Sequence, residues 1–310
     1  MSKVLVTGGA GFIGSHVVDL LVEKGYEVVV VDDLSTGRIE NINEDAKFYN
    51  VSICSQELRE IFGKERPDFV LHFAAQVNVR KSFNDPKFDA NINIKGSINL
   101  LECCRYLCVD KIVYASTGGA IYGNPQYLPV DEKHPIKPLS PYGASKHAIE
   151  HYLYIYKNNY NINYISLRYG NVYGPRQDPN GEAGVIAIFT NRLLKNERPV
   201  IFGDGNQTRD FIFVEDAANA AILALERDVR KKTLNIGTGR ETSVNEICNK
   251  LRSIIGNNIN PIYSDPIEGE VRRICLNSDN AKRELNWKPK NSIDDGLKKT
   301  VDWFIKSEMN

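Results

Sequence analysis

The stretch that decides the fold is Thr7-Gly8-Gly9-Ala10-Gly11-Phe12-Ile13-Gly14, near the start of a 310-residue chain. A short apolar run, Val4 to Thr7, precedes it, and helical periodicity begins at Phe12 and continues to Lys24. Glycines at a strand-to-helix turn let the backbone approach a pyrophosphate group at the positive end of the helix. The stretch therefore predicts a βαβ unit that binds a dinucleotide.

An acidic residue follows at the position that such a site requires. The next apolar, β-branched run, Glu27 to Val31, ends at Asp32, roughly 20 residues after the last glycine. A carboxylate at the end of this second strand can accept hydrogen bonds from an adenosine ribose. Asp32 and Asp33 together would repel a ribose 2′-phosphate, so the sequence favours NAD over NADP.

The rest of the first half alternates predicted strands with predicted helices. Further strands are expected over Phe69 to His72, Lys111 to Ser116 and Tyr164 to Leu167, with helices near 86 to 107 and 141 to 160. This alternation is typical of a parallel sheet covered on both faces. The predicted fold class is α/β, a Rossmann-type doubly wound parallel sheet. Denser glycine and proline beyond residue 170 predict a smaller α/β C-terminal lobe.

Composition and charge exclude several classes of protein. Lysine plus arginine equals aspartate plus glutamate at 39 each, so no broad electrostatic field steers the chain to nucleic acid or a membrane surface. No apolar stretch approaches the roughly 18 residues of a spanning helix, and the N-terminus lacks a secretory signal pattern. The six cysteines are scattered without CxxC pairs, as expected for reduced thiols. The sequence therefore predicts a cytoplasmic protein without a metal site.

A candidate catalytic pair lies in the helix predicted near 141 to 160. Tyr142 and Lys146 are one helical turn apart on the same face, and Ser140 and Pro141 fit the N-cap and the first helical position. A phenol titrates near pKa 10, so a tyrosine that acts as a base near neutrality needs a neighbouring positive charge. We expect Lys146 and an oxidised nicotinamide to lower the pKa of Tyr142.

Four segments in this order resemble the extended short-chain dehydrogenase/reductases: TGGAGFIGSH, ASTGGAIYG, SPYGASK and RYGNVYGPRQDP. The resemblance extends through GDGNQTRDFIFVED and LNIGTG to the C-terminal helix, and it is strongest to the UDP-glucose (UDP-galactose) 4-epimerases. It implies that Tyr142 takes the proton of the sugar 4-hydroxyl while C4 passes hydride to NAD. The 4-keto sugar then turns and receives hydride on its other face, so that UDP-glucose and UDP-galactose interconvert.

The resemblance also implies a set of site residues. Catalysis is expected from Tyr142, Lys146, Thr117 and Ser116. The expected cofactor-binding residues are Gly8, Gly11, Phe12, Ile13, Gly14, Asp32, Asp33, Ser35, Thr36, Gly37, Ser52, Ile53, Phe73, Ala74, Ala75, Asn93, Tyr142, Lys146 and Tyr169. The expected substrate-binding residues are Thr117, Tyr142, Asn171, Arg209 and Arg273. An ion pair of Arg209 with Asp204 or Asp210 is the alternative interpretation of that arginine.

Two domains and a homodimer are further implications of the resemblance. Residues 1–170 are expected to form the NAD-binding domain, to which residues near 211–237 return, and residues 171–310 to form mainly the substrate-binding lobe. The helices near 86 to 107 and 141 to 160 are expected to pair two copies of the chain. A UDP-sugar is the expected partner, with no nucleic acid and no membrane.

The chain departs from the family pattern beside the catalytic pair. Many epimerases carry a serine four residues before the tyrosine that corresponds to Tyr122, and here that position is Gly118. We expect Thr117 to supply the hydroxyl through a local backbone shift. Gly119 and Ala120 lack the acidic side chains that related dehydratases carry near this spot. Their absence favours epimerisation over elimination.

Three other departures concern affinity and substrate choice. Ser52 stands where an aspartate often contacts adenine. Ile267 stands where an arginine often reaches the diphosphate, a loss for which Arg272 or Arg273 is expected to compensate. Ile274 lies at the position whose bulk governs admission of N-acetyl sugars, and it is smaller than the tyrosine of sugar-restricted members. Acceptance of N-acetylhexosamines therefore stays open.

Other functions also stay open on the sequence alone. The enzymatic alternatives are a 4-epimerase of UDP-N-acetylglucosamine or UDP-glucuronate and a net oxidoreductase of nucleotide sugars. A nucleotide sensor without turnover is the non-enzymatic alternative, although such proteins often lack a pair like Tyr142 and Lys146. The segment His147 to His151 matches the HxxEH pattern of zinc peptidases, but no third ligand is evident. We expect its histidines to face solvent or a subunit interface.

Overall fold

The computed structural model describes residues 2–180, 184–266 and 271–308. A seven-stranded sheet forms its centre, and all strand pairs within this sheet are parallel. From one edge to the other, its strands are β11 (Thr233–Ile236), β6 (Asn163–Tyr169), β5 (Lys111–Thr117), β4 (Phe69–His72), β1 (Lys3–Thr7), β2 (Glu27–Asp32) and β3 (Lys47–Asn50). The predicted doubly wound α/β fold is confirmed, with the change of direction between β1 and β4.

Helices cover both faces of this sheet, because its strands bury apolar side chains on alternate sides. The helices on one face are α1 (Phe12–Glu23), α8 (Val214–Glu226) and α10 (Asp279–Leu285). The helices on the other face are α2 (Glu57–Glu65), α5 (Ser97–Tyr106) and α6 (Pro141–Tyr160). A short 3₁₀ turn, Ile39–Asn41, follows β2. Because the strands are parallel, their carboxyl ends, where ligands bind in such sheets, lie at one edge.

The N-terminus of α6 is held by the cap that the sequence predicts. The side chain of Ser140 accepts a hydrogen bond from the amide of Gly143 at 3.1 Å, and Pro141 occupies the first helical position. The aromatic segment Tyr152 to Tyr156 continues this helix, and its Leu153 and Tyr156 pack onto the sheet. The cap therefore places the candidate catalytic pair, Tyr142 and Lys146, on the first two turns of a long helix.

The helix expected over residues 86 to 107 is interrupted, and this prediction is corrected. α4 (Pro86–Ala90) begins at an Asp85 cap, and a π-helical segment, Asn91–Gly96, separates it from α5. A further short helix that was not predicted, α3 (Val79–Asn84), precedes α4. π-helical turns are rare and are found mostly near functional sites.

A smaller group of elements packs around an apolar core of its own, which includes Tyr173, Phe189 and Leu251. Its helices are α7 (Val185–Leu194), α9 (Val244–Ile255) and α11 (Ile293–Glu308). Its strands pair in twos, β7 (Asn171–Tyr173) with β10 (Phe211–Phe213), β8 (Val200–Phe202) with β13 (Ile262–Ser264), and β9 (Thr208–Arg209) with β12 (Thr242–Ser243). β11 pairs with β6 in the large sheet, and α8 packs on that sheet, although both follow β10 along the chain. Across the described ranges, none of the helices has the length and apolar character needed to cross a bilayer.

Candidate active site

The glycine loop between β1 and α1 allows a backbone approach that larger residues would block. Gly8 has a φ of +70°, and a Cβ atom there would lie 2.5 Å from the amide nitrogen of Ala74. A Cβ atom at Gly14 would lie 2.1 Å from the carbonyl oxygen of Gly8. Gly11 is the N-cap of α1 without a side-chain hydrogen bond, and Phe12 and Ile13 begin the helix. A phosphate group can therefore accept from the first helical amides, as the pyrophosphate of NAD requires.

Asp32 ends β2 beside this loop. Its Oδ2 accepts from the amide of Ala10 at 3.0 Å, and its Oδ1 accepts from the amide of Leu34 at 2.9 Å. Burial raises the pKa of Asp32, and these two hydrogen bonds oppose the increase. A carboxylate has about four acceptor positions, so ribose hydroxyls can still donate to it. Gly37 keeps the approach open, because a Cβ atom there would lie 2.8 Å from Asp32 Oδ1.

The neighbouring residues expected to bind the cofactor lie around the same strand end. Partial burial would raise the pKa of Asp33, but hydrogen bonds from Ser35 and Ser52 lower it. Thr36 is exposed beside them. Ile53 is buried, and its side chain packs where a Cβ atom of Gly96 would lie, so it supports the site from behind. The structure brings Asp33, Ser35 and Ser52 together.

The segment after β4 lies across from the glycine loop. The amides of Phe73 and Ala74 donate to the carbonyl oxygen of Thr7 at 3.0 and 3.1 Å, and Ala75 follows them. These contacts place the segment Phe73 to Ala75 against the loop, where a dinucleotide would pass between the two.

Asn93, in the π-helical segment, holds the residue that follows. Its Oδ1 accepts from the amide of Gln76 at 2.9 Å, and its Nδ2 donates to the carbonyl oxygen of Gln76 and to Asp89 Oδ1, both at 2.9 Å. Both amide hydrogens of Asn93 are therefore used within the protein. Asn93 therefore fixes the end of the Phe73 to Gln76 segment, and its expected contact with the cofactor stays a prediction.

Tyr142 meets the hydroxyl of Thr117, the last residue of β5. Burial raises the pKa of Tyr142 to about 12, the charge of Asp89 adds to the increase, and the hydrogen bond from Thr117 opposes it. The expectation that Lys146 lowers this pKa is wrong for the protein by itself, because burial and the charge of Asp89 raise the pKa and only the Thr117 hydroxyl opposes them. The positive charge of an oxidised nicotinamide would act in the lowering direction.

Lys146 lies one turn further along α6 and is buried. Its Nζ is 4.5 Å from the centroid of the Tyr114 ring. Burial lowers the pKa of Lys146 to about 7, while the charges of Glu150 and Asp89 oppose the decrease. The ammonium is therefore charged below about neutral pH and loses its proton above it.

Thr117 and Ser116 point to opposite sides of β5. A Cβ atom at Gly118 would lie 2.5 Å from Leu276 Cδ1, so a serine at position 118 would require the buried Leu276 side chain to shift. The placement of Thr117 beside Tyr142 fits the expectation that it supplies the missing hydroxyl. Ser116 instead donates to Glu150 Oε1 at 2.8 Å. This contact supports Glu150, and the expected catalytic role of Ser116 stays a prediction.

The residues expected to bind substrate differ in their distance from Thr117 and in their contacts. Asn171 lies close to the reacting groups, since a Cβ atom at Gly119 would lie 3.4 Å from Asn171 Oδ1 and 3.9 Å from Thr117 Oγ1. Arg273 forms a two-point ion pair with Glu241, with Nη2 to Oε2 at 2.6 Å and Nε to Oε1 at 2.9 Å. Arg273 thus contacts a carboxylate in this structure, and its expected role in holding the diphosphate stays a prediction.

Arg209 is half-buried in β9, and its Nη1 donates to the carbonyl oxygen of Thr208 at 2.9 Å. Of the two carboxylates that the sequence offers it, Asp204 forms an ion pair with Arg272 at 2.6 Å. The other, Asp210, accepts hydrogen bonds from the amides of Thr238, Gly239 and Leu276 and from the hydroxyl of Thr238. Asp204 and Asp210 thus each have hydrogen-bonding partners besides Arg209. The planar guanidinium of an arginine has the shape to pair with two oxygens of a diphosphate.

Two further predicted positions have their side chains in apolar surroundings. The hydroxyl of Tyr169 donates to the carbonyl oxygen of Ala217 at 3.3 Å, within the core beneath α8. Its side chain therefore packs in the core, and the expected cofactor contact of Tyr169 stays a prediction. Ile274 is buried in a cluster with Ile121 and Leu276. Ile267, expected at the diphosphate, lies outside the described residues.

A buried network beneath the site was not predicted from the sequence. Glu150 Oε1 accepts from Ser116, Ser166 and Arg168 at 2.8, 2.9 and 2.9 Å, and Oε2 accepts from Arg168 at 2.5 Å. Burial would raise the pKa of Glu150, but the hydrogen bonds from Arg168 and His147 lower it to about 2. The available signal was the spacing of Glu150, one turn after Lys146 on the same helix face.

The histidines of the HxxEH segment are partnered with each other. His147 Nε2 and His151 Nε2 are 3.1 Å apart, and His147 Nδ1 donates to Glu150 Oε2 at 3.1 Å. His151 is exposed and His147 half-buried. Within the described part of the chain, no three possible metal ligands of the His, Cys, Asp and Glu types come together.

The glycine loop, the carboxylate at the end of β2 and the Tyr142 and Lys146 pair meet at one edge of a doubly wound sheet. This arrangement defines a dinucleotide-dependent enzyme of the extended short-chain class. The chain belongs to the NAD dependent epimerase/dehydratase family, whose sequence profile matches residues 4–237. NAD is accordingly its cofactor.

Three UDP-glucose 4-epimerases are similar to this chain over nearly its whole length. A UDP-glucose 4-epimerase of Thermotoga maritima, solved with UDP-glucose, is 49% identical over 99% of both chains, with a TM-score of 0.97. A UDP-glucose 4-epimerase of Thermus thermophilus, solved with NAD, is 43% identical over 98% of this chain and 99% of that one, with a TM-score of 0.93. A UDP-glucose 4-epimerase of Mycolicibacterium smegmatis is 41% identical over 97% of this chain and 98% of its own.

Proposed function

We propose that this chain is a UDP-glucose 4-epimerase, which interconverts UDP-glucose and UDP-galactose at C4 through a 4-keto intermediate. The observation that carries the proposal is the placement of Tyr142 beside the Thr117 hydroxyl, one helical turn from the buried side chain of Lys146. Such a group can remove and return the proton of a sugar hydroxyl. The similarity to UDP-glucose 4-epimerases over nearly the whole chain supports this substrate.

In the proposed mechanism, Tyr142 takes the proton of the sugar 4-hydroxyl and later gives it back. The Thr117 hydroxyl donates to the phenol oxygen and holds the reacting hydroxyl beside it. The Lys146 ammonium stabilises the phenolate by its charge. Bound NAD supplies a hydride acceptor that becomes the hydride donor of the second half-reaction, so that no net redox change occurs.

Epimerisation also requires that the hexose turn while the nucleotide stays bound. Gly119 has no side chain beside Thr117 and Asn171, so no side chain at this position hinders rotation of the 4-keto sugar. We assign the diphosphate to Arg209, whose planar guanidinium can pair with two phosphate oxygens. Firm contacts to the diphosphate and loose contacts to the hexose together permit transfer to either face of C4.

Thr117→Ala is expected to lower kcat by about 10- to 100-fold, because the hydroxyl that orients Tyr142 and the sugar is lost. Thr117→Ser keeps that hydroxyl and is expected to stay within about threefold of the wild type. Adding Gly118→Ser to Thr117→Ala is not expected to restore activity, since a side chain at position 118 meets Leu276. Recovery of the rate in this double variant would show that position 118 carries the catalytic hydroxyl.

The experiment that tests the proposed function is proton NMR of the full chain with UDP-glucose, UDP-N-acetylglucosamine and UDP-glucuronate in separate tubes, without and with added NAD. New galacto-configured anomeric signals from UDP-glucose are expected, and the three rates rank the substrates. Conversion of UDP-N-acetylglucosamine or UDP-glucuronate alone would replace the proposed substrate. Absence of conversion of all three with NAD bound would contradict the proposed function and favour another nucleotide sugar as substrate first and a sensor second.

We also propose that the chain acts as a cytoplasmic homodimer in galactose metabolism. All six cysteine thiols are free, which suits a reducing compartment. α5 and α6 expose Tyr106, Tyr154 and Ile155, which are 63%, 62% and 45% exposed, and a second copy would cover them. Sedimentation of the wild type and of Ile155→Asp tests the dimer, since a charge in this face is expected to give a monomer.

The division into an NAD-binding domain and a substrate lobe at about residue 170 remains part of this proposal.

A further inference from the structure

Two histidines of α6 present their ring nitrogens to each other outside the catalytic arrangement. His147 Nε2 and His151 Nε2 are 3.1 Å apart, and the two ring centroids are 4.6 Å apart. The residues are one helical turn apart, so their side chains share a face of α6. Residue 147 is turned by about 100° around the helix axis from Lys146, which directs the pair away from the catalytic face. The proposed mechanism uses neither imidazole.

The proton positions on this histidine pair follow from Glu150. The Glu150 carboxylate forms a two-point ion pair with Arg168, so it can only accept hydrogen bonds. His147 Nδ1 must therefore carry the proton of its 3.1 Å hydrogen bond to Glu150 Oε2. In neutral His147 the lone pair is then on Nε2, the atom that contacts His151. A carboxylate that orients an imidazole through its other nitrogen is the arrangement that metal-binding histidines show.

The distance between the two Nε2 atoms matches that of two nitrogen ligands on one metal ion. With metal–nitrogen distances of about 2.0–2.1 Å, a separation of 3.1 Å gives a nitrogen–metal–nitrogen angle of roughly 100°. This value lies between the angles of about 90° in octahedral sites and about 109° in tetrahedral sites. When an ion enters, neutral His151 moves its proton from Nε2 to Nδ1, and both lone pairs then face the ion. The backbone of α6 does not have to change.

The other three histidines of the chain are held differently. His72 and His134 are buried, and each uses both ring nitrogens in hydrogen bonds within the protein. His16 uses its Nε2 in a hydrogen bond with the carbonyl oxygen of Pro175 at 3.0 Å. By contrast, His151 is exposed and the side chain of His147 is 24% exposed, so an ion can reach their Nε2 atoms from solvent.

We propose that His147 and His151 form a binding site for one divalent late-transition-metal ion, such as Zn²⁺, Ni²⁺ or Cu²⁺, with Glu150 orienting His147. These ions prefer imidazole nitrogen, whereas Mg²⁺ and Ca²⁺ prefer oxygen ligands. The chain was predicted to lack a metal site because no third protein ligand is evident. In a site of two imidazoles, water supplies the remaining ligands. The site requires neither NAD nor turnover, so it goes beyond the proposed function.

The experiment is calorimetric titration of the untagged full chain with NiCl₂ at pH 7.5. Ni²⁺ is the probe because it binds imidazole and, unlike Cu²⁺, does not oxidise the free thiols of the chain. The wild type is expected to bind one Ni²⁺ per chain at this pair. His151→Ala is expected to weaken this binding by at least about tenfold, because a second imidazole no longer reaches the ion held by the first. MgCl₂ is expected to give no binding that depends on His151.

The matched control is the double variant His151→Ala/Tyr154→His. It has as many histidines as the wild type, but the new one is two helical turns from His147, roughly 10 Å along the axis and too far for one ion to reach both. Tyr154 is 62% exposed, so the helix is expected to accept a histidine there. This variant is expected to bind Ni²⁺ as weakly as His151→Ala. Binding at wild-type affinity would show that the paired geometry is not needed and would overturn the proposal.

Urea unfolding provides a second measurement that does not depend on heats of binding. Ni²⁺ at about 100 times its dissociation constant is expected to lower the unfolding equilibrium constant of the wild type by roughly tenfold or more relative to its effect on His151→Ala, because the paired nitrogens exist only in the folded helix. Equal stabilisation of the two proteins, or no binding of Ni²⁺ by the wild type, would overturn the proposal. Failure to convert UDP-glucose would contradict the proposed function alone, since neither metal measurement uses turnover.

Discussion

Tyr142→Phe is expected to lower kcat for UDP-glucose by about 10³-fold while the protein still binds NAD. The change removes one oxygen, the atom that exchanges the proton with the sugar, and general acid–base catalysis contributes effects of about 10²- to 10⁴-fold. The lost hydroxyl hydrogen-bonds to Thr117, whose own hydroxyl can turn to another acceptor. Turnover and bound NAD are measured on the same preparation, by NMR and by release of the nucleotide.

The matched control for this prediction is Tyr154→Phe. Tyr154 lies on the same helix but is 62% exposed, so removal of its hydroxyl is expected to leave the rate unchanged. A rate for Tyr142→Phe within tenfold of the wild type, with Tyr154→Phe also normal, would contradict the assignment of Tyr142 as the base.

Gly14→Ala is expected to weaken NAD binding by roughly 10- to 100-fold and to lower the free energy of unfolding by about 1–3 kcal/mol. A methyl group at this position would lie 2.1 Å from the carbonyl oxygen of Gly8, so α1 must move away from the glycine loop. That movement displaces the helical amides that are expected to hold the pyrophosphate. Calorimetric titration with NAD and urea unfolding measure the two effects.

Gly63→Ala is the control for this glycine substitution. Gly63 lies in α2, and no atom lies within 4 Å of a Cβ atom built there. The change is expected to leave NAD binding unaltered and to raise the free energy of unfolding by about 0.5–1 kcal/mol. Equal NAD affinity in Gly14→Ala and the wild type would contradict the placement of the pyrophosphate at this loop.

The sequence predicts the βαβ unit well because its signals are local. The glycine loop, the apolar run into Asp32 and the Ser140 cap each lie within one element or one turn, and β4 has the predicted bounds of Phe69–His72. The short paired strands of the smaller core, β7 to β10, β12 and β13, were not predicted. They have two or three residues each, too few for a hydrophobic period to be recognised.

In the candidate site too, the sequence predicts features that depend on neighbouring residues and misses contacts between residues far apart in the chain. The hydroxyl at Thr117 was predicted, but the reason that position 118 is glycine depends on Leu276, far along the chain. The contact of Asp89 with Ser145 joins residues 56 positions apart, and the ion pair of Arg273 with Glu241 joins residues 32 positions apart. Such contacts depend on tertiary packing, which residue type and spacing do not encode.

The central claim is that hydride leaves C4 and returns to the same carbon, while Tyr142 removes the proton of the 4-hydroxyl and later returns it. It is tested most directly with UDP-glucose that carries deuterium at C4, followed by NMR in ordinary water. The mechanism predicts UDP-galactose that retains the deuterium at C4. Loss of the deuterium to solvent, or formation of a 4-keto-6-deoxy sugar in place of UDP-galactose, would contradict it.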